Sequence, residues 1–191
     1  MTTRPAPIVT VTLNPAVDEA IEIDEFVLGE INRCRLGSLD AGGKGLNASR
    51  VTHRLGRATM ALGFVGGVTG AWIRACLDAE GVLHAFDDVD EMTRLNVMLY
   101  EPQAHRRSRI YLQGARVDPA RLVNIEQRLE AVRAGGVVVL GGSLPPGLPD
   151  TTYADLVRGL RARGVHAIVD TSGAALAQGT RRGAERDQAR R

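Results

Sequence analysis

Gly42-Gly43-Lys44-Gly45-Leu46-Asn47-Ala48-Ser49-Arg50-Val51-Thr52-His53-Arg54-Leu55-Gly56 is a glycine-rich loop that runs directly into a helical pattern. From Gly45 to Leu55 the apolar Leu46, Val51 and Leu55 share one side, and Gly56 supplies the C-terminal stop. Glycines at 42, 43 and 45 let backbone N–H groups approach a ligand with no Cβ in the way. The helix they open offers unpaired donors at the positive end of its dipole. An anion is the natural guest. Lys44 adds a full charge, and it is the only lysine in a chain that writes its other cations as 23 arginines. Asn47, one turn in, can hydrogen-bond a neighbouring hydroxyl. The loop is not a Walker motif, because Ser38 and Gly45 stand where that motif needs Gly and Ser or Thr.

Downstream of this helix the pattern alternates. Ala58 to Phe64 reads as a strand, Gly70 to Glu80 as a helix stopped by Gly81, and Val82 to Phe86 as a strand. Asp118-Pro119 opens a helix to about Arg133, and Val137 to Leu140 is a strand covered on both faces. Asp150 or Thr151 caps a helix to about Arg163, and Val165 to Val169 is the next buried strand. Upstream, Ile8 to Leu13 is a β-branched run closed by Asn14-Pro15. Strands separated by helices of this length imply right-handed βαβ units and a parallel sheet with helices on both faces. Two polar hairpins, about 19–39 and 94–112, do not fit that sheet and are expected to form one small lid over its edge. Gly63 to Gly70 departs from GxGxxG and reads as a helix-entry turn, with a dinucleotide site as the alternative.

Composition narrows the function classes. The 191 residues are 44 % hydrophobic and 24 % charged, which suits a globular domain with a real core. Cys34 and Cys76 form no CxxC pair, and His53, His84, His105 and His166 fall at no metal spacing, so no metal site is read. Residues 181–191 carry five arginines against Glu185 and Asp187, a local +3 that leaves the first 180 residues at −1 of the total +2. This Arg-rich tail lacks aromatics and reads as a frayed terminus rather than a nucleic-acid surface. No apolar stretch approaches the ~20 residues of a membrane span. Asn14, Pro15 and Asp18 arrive too soon for a signal-peptide core, so a reducing cytoplasm is expected.

In an open parallel sheet, ligands bind beyond the carboxyl ends of the strands. Asn14 and Asp18, the Gly42–Gly45 loop, Gly141-Gly142-Ser143 and Asp170-Thr171-Ser172-Gly173 all fall at such ends. Asp18, acceptor-only when ionised, suits a vicinal pair of sugar hydroxyls.

The runs Thr12-Leu13-Asn14-Pro15-Ala16-Val17-Asp18, Gly42 to Arg50, Gly142-Ser143-Leu144-Pro145-Pro146-Gly147 and Asp170-Thr171-Ser172-Gly173 resemble, in order and spacing, the ribokinase-like (PfkB) carbohydrate kinases. The likeness spans about residues 8–178 and is strongest to the branch containing 1-phosphofructokinase and tagatose-6-phosphate kinase. It implies an α/β ribokinase-like fold, a mostly parallel sheet with helices on both faces plus a small β lid. It implies ATP-dependent phosphorylation of a sugar phosphate, with Mg2+, and a homodimer formed through the lid. By the same resemblance, Asp18 and Asn47 hold sugar hydroxyls, Gly42 and Gly43 let the sugar approach, and Lys44 lies beside them. Arg33 and Arg94 match basic residues that reach the substrate phosphate, where a guanidinium grips with two parallel N–H bonds. Ser143 matches a sugar-contacting serine, and Asp170 lies near the magnesium and phosphoryl-transfer region.

The likeness also has a boundary. The family's later half carries an Asn-x-x-Glu segment, a Gly-Ala-Gly-Asp helix start with the general base, and the nucleotide pocket, and none of these occurs here. Residues 1–180 are therefore expected to be the N-terminal part of one kinase domain, incomplete at the C-terminus, with 181–191 as an irregular tail. Phosphoryl transfer rests on positioning and electrostatic stabilisation, so this chain alone is expected to be inactive, with no catalytic base of its own. The competing expectation is a noncatalytic sugar-phosphate-binding fragment or pseudo-enzyme. An unpaired sheet edge is expected at the Val137 and Val165 strands.

Overall fold

A computed structural model of the protein describes residues 6–173 and 175. The Arg-rich tail, and the last few residues of the unit read as 1–180, lie outside the described residues.

Five parallel strands form the main sheet: β1 (Ile8–Thr12), β4 (Thr59–Val65), β5 (His84–Asp88), β8 (Val137–Gly141) and β9 (His166–Asp170), in the order β5-β4-β1-β8-β9. β-Branched and aliphatic residues at alternating positions feed two cores. Val9, Val11, Val138 and Leu140 point to the side of helices α3 (Leu122–Glu130) and α4 (Thr152–Ala162), where Ile125, Leu129, Tyr153 and Leu160 are buried. Ala61, Val65 and Phe86 point to the side of α1 (Lys44–Arg54) and α2 (Gly67–Ala79), against Leu46, Ile73 and Leu77. Under α1 the contact is polar. Thr10, Ser49 and Thr59 share hydroxyl hydrogen bonds of 2.7 and 2.9 Å, and Thr59 donates to the Ile8 carbonyl at 2.9 Å. Paired buried hydroxyls fix α1 on the sheet at one register, because any shift would leave them unsatisfied.

The segments read as two hairpins form a single four-stranded sheet in the order β3-β2-β6-β7. β2 (Ala16–Glu22) pairs antiparallel with β3 (Arg35–Gly42), and β6 (Arg94–Glu101) pairs antiparallel with β7 (Arg106–Tyr111). The two pairs meet through parallel β2 and β6, with Asp18 opposite Asn96.

Several boundaries differ from the sequence reading. β2 begins three residues earlier than expected and ends at Glu22, because Ala16 already pairs with Gly42 and Arg94. Residues 24–34 are irregular instead, with the Asn32 side chain bonded at both ends to Val27. The helix expected from Asp118 to Arg133 is a 3-10 turn at Pro119–Arg121 followed by a shorter α3, and Asp118 accepts from Ala120 N–H at 2.9 Å. Neither Asp150 nor Thr151 caps α4 through its side chain; Thr152 Oγ1 donates to the Pro149 carbonyl at 2.7 Å. At the entry to α2, Cβ positions on Gly66 and Gly67 would fall 2.1 Å from the Glu91 carbonyl oxygen and 2.5 Å from Met92 Cγ. Bare glycine lets this helix-entry turn pack closely against Glu91 and Met92. β8 is paired on both sides, so the sheet edge on this flank is β9 alone, where Ile168 is 55 % exposed.

One ion pair ties the outer end of the smaller sheet together. Glu101, 1 % exposed, accepts from Arg106 Nε and Nη2 at 2.6 and 2.5 Å and from Phe26 N–H at 3.1 Å. The Arg106 guanidinium and then the Phe26 N–H hold the carboxyl down to about 2. Its ordinary value is about 4.3. A carboxyl depressed on folding stabilises fully above its unfolded value and loses that contribution as pH falls toward the folded one. The native protein is therefore expected to lose more melting temperature than Glu101→Gln between about pH 4.5 and pH 2. Parallel thermal melts check this, and identical slopes would refute it.

Candidate active site

The carboxyl ends of β1, β8 and β9, the start of α1 and the inner face of the smaller sheet converge on one rim. Glycine chemistry brings them together. A Cβ on Gly141 would lie 2.6 Å from Gly45 N, and one on Gly45 would lie 2.5 Å from Thr12 Oγ1 and 2.8 Å from the Val11 carbonyl oxygen. Only bare backbone lets the start of α1 sit this close to the sheet. Gly43, at φ +138°, precedes a helix with no side-chain cap of its own, and Thr12 Oγ1 accepts the Leu46 N–H at 2.9 Å. At Gly42 the place a Cβ would take is occupied by Asp18, with Oδ2 only 2.1 Å away, so the missing side chain makes room for the aspartate.

Three clusters line the rim. In the first, Asp18 Oδ1 accepts from Asn96 Nδ2 at 2.7 Å, with Asp40 directly across the β2–β3 ladder. In the second, Arg94 donates to the carbonyl oxygens of Asn14 (3.1 Å) and Leu112 (3.2 Å), and at 3.5 Å to Ser143 Oγ. Asn14 Nδ2 also donates to Ser143 Oγ at 3.1 Å. Burial lowers the Arg94 pKa, partly offset by the charge of Asp18 and by Tyr111. Its Nε is buried without a partner. The guanidinium is thus held by neutral oxygens, with its nearest negative charge on Asp18. In the third, Lys44 Nζ pairs with Asp170 Oδ1 at 2.6 Å, both side chains at least half exposed. An exposed pair of this kind is worth about 0–1 kcal/mol, so a multiply charged guest can take the ammonium from it.

Two depressions sit beside the first two clusters and share Tyr111. One, about 300 Å³, is lined by Asp18, Asp40, Asn96, Arg109 and Tyr111 on the smaller sheet. The other, about 470 Å³, is lined by Asn14, Arg94, Tyr111, Leu144 and Pro146 between the sheets. A fixed carboxylate beside a half-buried, carboxylate-free guanidinium is chemistry for a small molecule with hydroxyls at one end and an anion at the other.

Of the residues singled out in the sequence, Asp18, Gly42, Arg94 and Ser143 are brought together by this arrangement, and Gly43, Lys44 and Asp170 adjoin them at the rim. Asn47 is exposed on the first turn of α1, its N–H bonded to the Gly43 carbonyl at 2.8 Å. Arg33 is exposed in the β2–β3 connection. Asn96 and Tyr111 were not anticipated. Strand alternation carries the missing signal, since Arg94 and Asn96 are two apart and share a face.

Among the described residues no group of three or more His, Cys, Asp or Glu side chains is disposed to hold a metal. Asp170 is the rim carboxylate nearest the sheet tips and is already bound by Lys44.

Residues 11–184 match the pfkB family of carbohydrate kinases. The chain is 36 % identical over 173 residues to 1-phosphofructokinase of Bacillus subtilis (strain 168), covering 91 % of this chain and 56 % of that protein. It is also similar to the crystal structure of phosphofructokinase-2 from Escherichia coli in complex with fructose-6-phosphate. That likeness has a TM-score of 0.84 and 28 % identity, over 90 % of this chain and 57 % of that one. A possible 1-phosphofructokinase from Thermotoga maritima gives a TM-score of 0.80 at 29 % identity, over 92 % and 57 %. The α/β architecture, a mostly parallel sheet flanked by helices, is shared with these neighbours, and the chain spans a little over half their length.

Proposed function

Because the chain belongs to the pfkB family of carbohydrate kinases, we propose that it holds the sugar-phosphate-binding half of an ATP-dependent kinase of the 1-phosphofructokinase or tagatose-6-phosphate kinase type. The observation that carries this reading is the pairing of the Asn96-held Asp18 carboxylate with the half-buried Arg94 guanidinium around adjoining depressions. Asp18 accepts from sugar hydroxyls, with Asn47 and Ser143 adding polar contacts. Arg94 takes the phosphate and Arg33 reaches toward it from the β2–β3 connection. Lys44 and Asp170, at the sheet tips, adjoin the group to be transferred. ATP and Mg2+ belong to this reading through the family, and no step is assigned to them here because the described residues do not complete their site.

Residues 1–180 are taken as part of one kinase domain. The outer face of the smaller sheet exposes Leu36, Leu39 and Ile110, the kind of surface a second copy covers in a homodimer. No helix among the described residues is long and apolar enough to cross a membrane. A cytoplasmic location is part of the proposed reading. A second reading is a sugar-phosphate-binding protein without turnover.

Calorimetric titration with fructose 1-phosphate and tagatose 6-phosphate, followed by an ADP-release assay with ATP and Mg2+, tests both. Heat without turnover is expected for this chain, and absence of heat with either sugar phosphate would refute the sugar-phosphate site. Arg94→Ala removes charged hydrogen bonds worth about 1.5–3 kcal/mol, so it is expected to weaken the phosphorylated sugar by roughly 10–100-fold. It should leave the unphosphorylated parent unaffected.

A further inference from the structure

We propose that Asn96 is the positioning residue that fixes Asp18 for hydroxyl recognition, an inference that rests on the sugar-phosphate reading above. The two oxygens of Asp18 have different surroundings. Oδ2 lies where a Gly42 Cβ would be, and Oδ1 accepts from Asn96 Nδ2 at 2.7 Å. Gly42 lies on β3 and Asn96 on β6, the strands flanking β2, so one side gives the carboxylate room and the other gives it a donor. Asp40, directly across the ladder from Asp18, repels it, and like charges in that position destabilise a sheet. Without a donor opposite, the carboxylate would turn toward solvent.

The amide has no other occupation that explains it. Its Nδ2 is engaged with Asp18, while its Oδ1 is buried and has no partner. An orphaned buried acceptor costs free energy, so an apolar side chain of similar size would serve this half-buried position better if packing were its only task. The orientation is set by Asp18 itself, since a reversed amide would set oxygen against oxygen. Arg94 lies two residues earlier on the same face of β6. The one strand therefore sets the spacing between hydroxyl acceptor and phosphate donor, one strand repeat of about 7 Å.

Asn96→Leu keeps the branching at Cγ and removes the donor; Asn96→Asp keeps the shape and opposes a second charge to Asp18. Asn96→Leu is expected to weaken fructose 1-phosphate about 10-fold and Asn96→Asp by more, with inorganic phosphate bound as in the native chain. In an Asp18→Asn background, Asn96→Leu should add no further loss. Additive losses, or an equal loss for inorganic phosphate, would overturn the assignment. The carboxyl carbon resonance of Asp18, followed by 13C NMR without any ligand, should move in Asn96→Leu toward that of a freely solvated aspartate. An unmoved resonance would overturn the proposal on its own. A native chain that binds no fructose 1-phosphate, with the resonance shifted in the variant, would instead refute the sugar-phosphate reading and leave the clamp standing.

Discussion

Gly42→Ala is expected to leave the fold standing while weakening fructose 1-phosphate binding by roughly 30–100-fold, the loss of hydrogen bonds to a charged acceptor worth about 2–3 kcal/mol. The new methyl would meet Asp18 Oδ2 at 2.1 Å, Cγ at 2.4 Å and Oδ1 at 2.9 Å, with no backbone atom among these contacts. A carboxylate on a rotatable side chain can swing away. The stability cost is then the hydrogen bond to Asn96, about 1 kcal/mol. Recognition suffers more, because the displaced carboxylate no longer faces the recess it shares with Asn96 and Tyr111. Calorimetry with fructose 1-phosphate and inorganic phosphate, beside a thermal melt, reads both sides. A large fall in melting temperature with sugar-phosphate affinity intact would refute this account of Gly42.

Gly63→Ala should do the reverse. Gly63 pairs with Thr12 across the parallel β1–β4 ladder at φ +154°, and a Cβ there would lie 2.0 Å from the Thr12 carbonyl oxygen and 2.9 Å from its carbon. Both atoms are main chain in the centre of the sheet and cannot rotate aside. Overpacking and the disfavoured backbone angle each cost about 1–3 kcal/mol, so a loss of about 3 kcal/mol or more is expected. For a domain of this size that lowers the melting temperature by roughly 6–12 °C. Chemical denaturation would measure it, and a loss below about 1 kcal/mol would show that β1 and β4 part without penalty.

The contrast between two glycines explains what the sequence could and could not show. The Gly42–Gly45 run announced a close approach of backbone, because only that need accounts for three glycines ahead of an amphipathic helix. It could not say what approaches. Asp18, 24 residues before Gly42, and Thr12, 31 and 33 residues before Gly43 and Gly45, fill the space, and such partners are set by the long-range register of β1 and β2. The strand and helix alternation from Gly45 to Asp170 was readable because each apolar run is local and its period differs between strand and helix. The position of β2 was not, since a polar hairpin over about 19–39 fits several registers and the pairings of Ala16 with Gly42 and Arg94 decide among them. Asp118 and Pro119 marked a helix start correctly in kind, yet three residues of tighter 3-10 turn precede α3. Lys44 stood out by composition alone. Its engagement with Asp170 joins residues 126 apart and left no local trace.

The smaller sheet is sewn from two chain segments, Ala16–Gly42 and Arg94–Tyr111, whose join is the parallel β2–β6 seam rather than either hairpin. Each hairpin can zip by itself, but the seam can close only after β4, α2 and β5 have folded the intervening chain back. Loop closure of that length slows assembly. Asp18 and Asn96 face each other across this seam, so their pairing depends on a long-range closure and not on either hairpin alone.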